Sequence, residues 1–256
     1  MRFAEQLALQ AGEMLLQQRE HVRTIQIKTE HQEGLQTDSD IASDTFIRNA
    51  LKRYYPKWGI ISEESTDQPG NEWVWVVDPL DGTHNYVHGH DDFSVAIGLT
   101  FRNEPVMGVV VLPARSEMIS AVKGQGAFWS RGNDYTRLEL GNQFWPVGLL
   151  SVSSNIDFSA PECRAIVDKI QESDLFAEFR RRVIESSAQE LCYVARGIFD
   201  AHINFYAHPW DVMAGAVIVT EAGGQFSWIP SKTGRPHALA SHNHIHDSLK
   251  IMIAQA

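Results

Sequence analysis

Five apolar residues in a row, Trp73 to Val77, run straight into Asp78-Pro79-Leu80-Asp81-Gly82, and this junction constrains the chain more than any other stretch. The unbroken apolar run suits a strand buried on both faces better than an edge strand with one wet side. Pro79 and Gly82 then predict a turn, so two carboxylates are brought together where a buried strand ends. Two ionised carboxylates in that position are costly unless a cation lies between them. No Lys or Arg occurs from Trp73 to Phe101, which leaves a bound cation as the simplest neutraliser. Oxygen donors with no nearby Cys point to a hard ion, Mg²⁺ ahead of Zn²⁺. The competing reading is an ordinary Pro-Leu-Asp-Gly turn, since Asp-Gly is a common hairpin signal. An EF-hand loop is excluded, because Leu80 and Gly82 stand where that loop needs oxygen-bearing side chains.

The remaining bulk properties narrow the class. A chain of 256 residues with 43% hydrophobic content can bury a sizeable core, as one domain or as two joined lobes, about 1–145 and 146–256. A formal charge of −10 gives no electrostatic footprint for nucleic acid or anionic membrane. Cys163 and Cys192 are too few for a disulfide framework, which suits a reducing cytosol. The amino-terminal residues lack a signal-peptide core and no run reaches membrane-spanning length. A cytoplasmic protein is therefore expected.

Along the chain, Phe3, Leu7, Ala11, Met14 and Leu15 recur at helical spacing, predicting an amphipathic helix over the first twenty or so residues. Thr37-Asp38-Ser39-Asp40 predicts the start of a second helix that Pro56 ends, with the two acids as cap and first-turn residues. Residues 58–62 read as a short strand running into Glu63 and Glu64, followed by a polar loop. Residues 93–101, 105–112 and 117–122 read as a meander of antiparallel strands. In the second half, strands are expected at 149–153 and 199–206, and helices at 161–170, 187–196 and 209–221, the last with Pro209 in its first turn. A strand leading to a Lys232-Thr233-Gly234 turn, a short strand at 238–241 and a helix from Asp247 close the chain. His84, His88 and His90 form a His-rich turn, but Gly89 and the missing apolar period argue against a helix and a zinc site there. His242, His244 and His246 alternate and are expected to be solvated. Asp211, just after Pro209-Trp210, is by itself a good helix-start residue, and Trp210 is expected to pack rather than stack on a ligand.

Asp78-Pro79-Leu80-Asp81-Gly82-Thr83 resembles the D-P-[IL]-D-G-T motif of the inositol monophosphatase family. Two further blocks occur in the same order. Ser62-Glu63-Glu64-Ser65 resembles G-E-E-S, and Trp210-Asp211-Val212 with Glu221-Ala222-Gly223-Gly224 resembles W-D-x-A and E-A-G-G. The resemblance covers nearly the whole chain and implies a layered αβαβα sandwich of the sugar-phosphatase type; the pattern alone supports mixed α and β. It also implies a homodimer and Mg²⁺-dependent, Li⁺-sensitive hydrolysis of a small phosphomonoester with two or three metal ions. Glu63, Asp78, the Leu80 carbonyl and Thr83 match the first metal site, and Asp78, Asp81 and Asp211 the second. Asp40, bonded to the Thr83 hydroxyl, would accept or relay a proton, and Lys28 and Asp40 match the active-site Lys and Asp of the family. Glu64 is expected to stand behind the ligands. The amides of Gly82 and Thr83 would cradle phosphate if a helix begins there.

The leaving-group end departs from the family pattern. Asn204 stands where inositol-hydrolysing members carry a Glu that contacts ring hydroxyls, Glu185 where Gly is common, Ser187 where a small residue is common, and His84 where Thr is usual. Asp81, Gly82, Thr83, Glu185, Ser187, Asn204 and Asp211 are thus the expected substrate-binding residues, with Glu185 leaning toward solvent. Inositol 1-phosphate or a related polyol or sugar phosphate is the expected substrate. Histidinol phosphate, 3′-phosphoadenosine 5′-phosphate and fructose 1,6-bisphosphate are the alternatives, as is a dual-role protein that binds the transcription machinery.

Overall fold

The computed structural model describes residues 1–21, 24–27, 34–141, 148–154, 160–174 and 179–256. Seven α-helices lie among them: α1 (Arg2–Gln18), α2 (Asp38–Tyr54), α3 (Thr83–Val87), α4 (Pro161–Gln171), α5 (Ser187–Ala195), α6 (Pro209–Glu221) and α7 (Asn243–Ala254). β1 (Ile25–Ile27) and β2 (Leu35–Thr37) form a two-stranded hairpin. β3 (Gly59–Ser62), β4 (Ser65–Gln68), β5 (Trp73–Asp81), β6 (Ser94–Phe101), β7 (Glu104–Leu112), β8 (Glu117–Val122), β9 (Gly126–Arg131) and β10 (Asp134–Leu138) form an eight-stranded sheet in the order β10-β9-β8-β7-β6-β5-β3-β4. β11 (Leu149–Ser154), β12 (Arg180–Arg182), β13 (Ala201–Phe205), β14 (Gln225–Ile229) and β15 (His237–Ser241) form a second sheet in the order β12-β11-β13-β15-β14.

Three apolar clusters fix the layering. Ala4, Leu7, Ala11 and Leu15 of α1 join Ile47 and Leu51 of α2 against one face of the large sheet, through Val77, Ile97 and Val109. On its other face, Val110, Ile119 and Ala121 meet Leu191 of α5 and Val217 and Ile218 of α6, which also touch Ala238 and Ala240 of the small sheet. The far face of the small sheet packs Val152, Ile203 and Leu239 against Ile166 of α4 and Leu249 of α7. The result is the layered α/β/α/β/α arrangement expected from the resemblance. Among the described residues no helix is long and apolar enough to cross a membrane.

Close approach of α6 to the large sheet is a backbone matter. Gly98 and Gly108 face each other across β6 and β7, and a Cβ on Gly108 would lie 2.1 Å from the Ala214 carbonyl oxygen. Only glycine lets α6 settle there, and that seating sets where the amino-terminal end of α6, with Asp211, must lie.

Several expected boundaries move. The stretch after Glu64 is strand β4 rather than loop, β9 and β10 extend the meander beyond residue 122, and α7 begins at Asn243, four residues before Asp247. His246 is buried, bonding Ser241 Oγ at 2.7 Å and Ser227 Oγ at 2.9 Å, and His242 is buried as well. Their alternation reflects a helix start laid on β14 and β15, not a solvated tail. A short helix, α3, does form over Thr83–Val87, although His84, His88 and His90 all remain exposed.

Candidate active site

The acidic junction is built by a bulge. β5 does not turn after Val77 but continues to Asp81, and its register against β6 slips between Asp78, opposite Ala96, and Asp81, opposite Ser94. Three steps on β5 match two on β6, so one residue is extra. In a regular strand side chains three apart point to opposite faces; the extra residue reverses that parity and puts both carboxylates on one side. Pro79, which has no N–H to give a ladder, sits within the bulge, and its carbonyl accepts from Ser43 Oγ at 2.8 Å.

Neighbouring elements bring the other acids to this point. β3 runs parallel to β5, with Ser62 opposite Val77, and the Glu63 amide donates to the Val77 carbonyl, so Glu63 follows directly beside Asp78. Asp211 occupies the third position of α6 and accepts from the His208 amide at 2.7 Å as part of a capping box. Both the helix-start role and a position in the acidic cluster therefore belong to the same side chain. His208 in turn stacks on Trp210, ring centroids 4.4 Å apart. Asp78 is pushed well above the usual carboxylate range, first by burial and then by Glu63, Asp81, Asp211 and Glu64. Every one of these effects opposes ionisation.

Asp81 accepts hydrogen bonds from β6, from the residue capping α5 and from the first turn of α5. Its Oδ2 accepts from Ser94 Oγ (2.8 Å), Ser186 Oγ (2.6 Å) and the Ala188 amide (3.0 Å), and its Oδ1 from the Ser187 amide (3.1 Å). Burial raises its pKa, while these bonds pull it back. Asp81 thereby ties the large sheet to the first turn of α5.

Thr83 opens α3 after Gly82, whose φ of +84° is left-handed and whose missing Cβ avoids the Asp92 carbonyl oxygen at 2.8 Å. Its Oγ1 lies 3.0 Å from Asp40 Oδ1 and 3.1 Å from the Leu80 carbonyl oxygen. Asp40 is the third residue of α2, and its Oδ2 accepts from the Thr37 amide and hydroxyl in a capping box. Burial raises its pKa to about 6, against the bonds from Thr37 and Thr83. The cap reading and the active-site expectation again fall on one residue.

On the leaving-group side, Glu185 is exposed, with a left-handed φ of +63°. Its carboxyl nevertheless feels partial burial first and the Asp81 charge second, both raising it. Asn204 is fully buried and donates to Ser187 Oγ at 2.8 Å, so it stands behind Ser187 rather than at the surface. Lys28 lies outside the described residues. Sequence reasoning missed Ser94 and Ser186, which hold Asp81, and Asn85, whose amide donates to the carbonyls of Asp92 (2.8 Å) and Ile184 (2.7 Å). Single serines and an asparagine carry no motif signal that could have singled them out.

Among the described residues, no three His, Cys, Asp or Glu side chains already stand at chelating distance of one point. The bonding explains this: the oxygens of Asp81 and one of Asp211 are turned to amide and hydroxyl donors. The donor set itself is oxygen-only and crowded with like charge, with Asp78, Asp81 and Asp211 buried and Glu63 half-buried, and it fits a hard divalent cation.

The model of the inositol monophosphatase family matches residues 1–254. The chain belongs to the inositol monophosphatase family. It is 38% identical to inositol monophosphatase 3 of Solanum lycopersicum over 216 residues, covering 80% of this chain and 78% of that protein. It is 29% identical to the fructose-1,6-bisphosphatase/inositol-1-monophosphatase of Aquifex aeolicus, covering 94% and 89%. Among solved structures, the extragenic suppressor protein suhB of Bartonella henselae superposes with a TM-score of 0.84 at 27% identity, covering 98% of this chain and 96% of that one. Family membership supports a phosphatase hydrolase.

Proposed function

We propose that this protein is a Mg²⁺-dependent, Li⁺-sensitive phosphomonoesterase acting on inositol 1-phosphate or a related polyol or sugar phosphate. The observation that carries the reading is the crowding of Glu63, Asp81, Asp211 and Glu64 around the buried Asp78, beside a Thr83 hydroxyl bonded to Asp40. Burying so much like charge is unfavourable unless cations share the site. Glu63, Asp78, the Leu80 carbonyl, Asp81 and Asp211 would hold the ions. Bound Mg²⁺ would supply Lewis-acid activation of water and neutralise charge on the phosphoryl oxygens.

The chain's own groups do the rest. The Thr83 hydroxyl orients the attacking water and accepts its proton while passing its own to Asp40 Oδ1, to which it is bonded. A carboxylate with a pKa of about 6 is better matched to that task than an ordinary one, because a general base works best with a pKa near the working pH. The Gly82 and Thr83 amides face the phosphoryl oxygens, and Lys28, on the resemblance, completes the set. Ser187, backed by Asn204, and Glu185 border the leaving group.

Phosphate release from inositol 1-phosphate, glycerol 2-phosphate, histidinol phosphate, 3′-phosphoadenosine 5′-phosphate and fructose 1,6-bisphosphate tests the reading, with Mg²⁺, with EDTA and with added Li⁺. Turnover that requires Mg²⁺ and falls with Li⁺ is expected, with a polyol or sugar monophosphate preferred. No turnover of any ester by folded protein in ample Mg²⁺ would sink it and favour an interaction role. The homodimer implied by the resemblance is checked by light scattering.

A further inference from the structure

The hairpin that carries Glu63 is not closed by its own turn. Ser62, the last residue of β3, pairs with Ser65, the first of β4, so Glu63 and Glu64 are the whole of a two-residue loop. Loops of that length match the twist of their strands when at least one central residue takes a positive φ. The β6–β7 hairpin follows this rule, with Arg102 and Asn103 at φ of +53° and +66° between the paired Phe101 and Glu104. Neither Glu63 nor Glu64 has a positive φ, and two adjacent carboxylates add repulsion rather than closure. The register also shifts between Ile60 and Ser62, so the ladder leading into the loop is irregular.

What closes the loop lies outside it. Asp44, buried on α2, accepts from Ser62 Oγ on Oδ1 at 2.5 Å and from Ser65 Oγ on Oδ2 at 2.8 Å. A carboxylate has no hydrogen to give, so both bonds run from serine to aspartate. One side chain thus holds both ends of the turn. Arg48, one turn further along α2, places Nε 4.0 Å from Asp44 Oδ2 and donates through Nη2 to the Thr66 carbonyl on β4 at 3.0 Å. Its guanidinium sets a counter-charge beside the buried carboxylate. Asp40, one turn before Asp44, bonds Thr83. Residues four apart on a helix share a face, so one stripe of α2 reaches Thr83, both ends of the Glu63-Glu64 loop and β4. Within that loop, Glu64 Oε2 accepts from Gln36 Nε2 on β2, and Glu63 is set beside Asp78 by the bond from its amide to the Val77 carbonyl.

We propose that Asp44 is a positioning residue for the metal site: through Ser62 and Ser65 it presets the Glu63-Glu64 loop, so that Glu63 meets a divalent cation without the loop having to reorganise. Asp44 itself takes no part in binding the ion. The inference rests on the metal-dependent reading above and adds to it a residue outside the matched motifs.

The test reads Mg²⁺ binding directly, by calorimetric titration of the metal-free protein without substrate, beside Tm in EDTA and kcat at saturating Mg²⁺. Losing a partner that stands behind a metal ligand costs about 10- to 100-fold in metal affinity. Ser65→Ala, which removes one tie, is expected near the lower figure, and Asp44→Ala, which removes both, near the upper. Turnover at saturating Mg²⁺ should change little in either. Ser65→Thr keeps the hydroxyl and is expected to bind Mg²⁺ as the wild type does; the Ser65 pair keeps the test decisive if Asp44→Ala fails to fold. A lower Tm in EDTA with unchanged Mg²⁺ affinity in Ser65→Ala would make the tie structural only and overturn the proposal, as would an equal loss of affinity in Ser65→Thr. Either result leaves the phosphatase reading intact, whereas a wild type that binds no Mg²⁺ removes both.

Discussion

At the end of β5 the fold buries carboxylates against one another, while a few residues away, behind α5 and β13, it buries neutral hydroxyl, amide and imidazole groups. The two regions meet at Asp81 and Ser187. In the first, Asp78 is pushed upward by burial and by four other acids. In the second, Ser151, His202, Ser153, Ser187 and Asn204 are joined by hydrogen bonds, and burial keeps His202 neutral. Hydrogen bonds between neutral groups need no counterion, whereas buried like charges do. The difference teaches that the first region works against its own ionisation, while the second holds its groups by hydrogen bonds between neutral partners.

The largest effect that could break this comparison is expected at Asp78. Its folded pKa is raised above the unfolded value, so folding favours the protonated carboxyl. Its own contribution to stability is therefore fully present below the unfolded pKa and is lost as pH rises through the folded pKa. At neutral pH, without divalent cations, Asp78→Asn should melt above the wild type, because the amide keeps the oxygen that accepts from the Leu80 amide and removes the charge. A gain of about 1 kcal/mol would appear as roughly 2–4 °C in a chain of this size. The same variant should lose at least about 10²-fold in phosphate release and lose the Mg²⁺-induced rise in Tm. A Tm at or below that of the wild type in EDTA would mean that the cluster is not strained.

Asp40 and Thr83 come next. Asp40→Asn leaves the α2 cap an oxygen acceptor but removes the base, and Thr83→Ala removes the hydroxyl between base and water. Each should lower kcat by about 10²–10⁴-fold with little change in KM. The working form of Asp40 is ionised, so wild-type kcat should fall as pH drops below about 6. That acid limb should be absent from the residual activity of Asp40→Asn. A limb unchanged in the variant would assign it to another group.

How much of this was legible in the sequence depended on whether a residue's role was local. The acidic junction could be read because Trp73 to Asp81 carries both strand and acids in one stretch. What could not be read was that Asp78 and Asp81 share a face through a bulge, since that is decided by the register against Ala96 and Ser94 on another strand. The predicted turn therefore comes only at Gly82, after the second acid, and not between the two. Asp40 and Asp211 each had a helix-start reading and an active-site reading; both form capping boxes, with Asp211 among the acids acting on Asp78 and Asp40 bonded to Thr83. His202 and Ser153 carried no signal, because a lone His or Ser in a strand is informative only when its partners on β11 and α5 are known. The solvated reading of His242 and His246 failed similarly: β14 and β15 cover that helix start, and no local pattern says so.

A smaller effect sharpens where the two regions join. Asn85 donates to carbonyls of Asp92 and Ile184, pinning the loop after α3 to the strand end that leads into Glu185. Asn85→Ala leaves two partly buried carbonyls short of a donor, at about 1–3 kcal/mol. Thermal unfolding should show that loss, and on the proposed function, in which Glu185 borders the leaving group, KM should rise more than kcat falls. Asn85→Asp, which cannot donate, should behave like the Ala variant.

The smallest effect tests whether every matched motif belongs to the acidic region. Glu221, the first residue of the E-A-G-G block, stands at the end of α6, opposite to the end that carries Asp211. Its two carboxylate oxygens accept from the amides of Gly124 and Gly126 at 2.8 Å each, closing the turn between β8 and β9. Neither amide has another role in the site, and Glu221 is absent from the acids acting on Asp78. Glu221→Gln keeps one acceptor oxygen and turns the other into a donor facing an amide, so it should cost about 1–2 kcal/mol of stability. Its kcat and KM at a temperature well below Tm should match the wild type. A loss of turnover without a loss of stability would move Glu221 from scaffold to chemistry, and the acidic region would then extend along α6 instead of ending at its first turn.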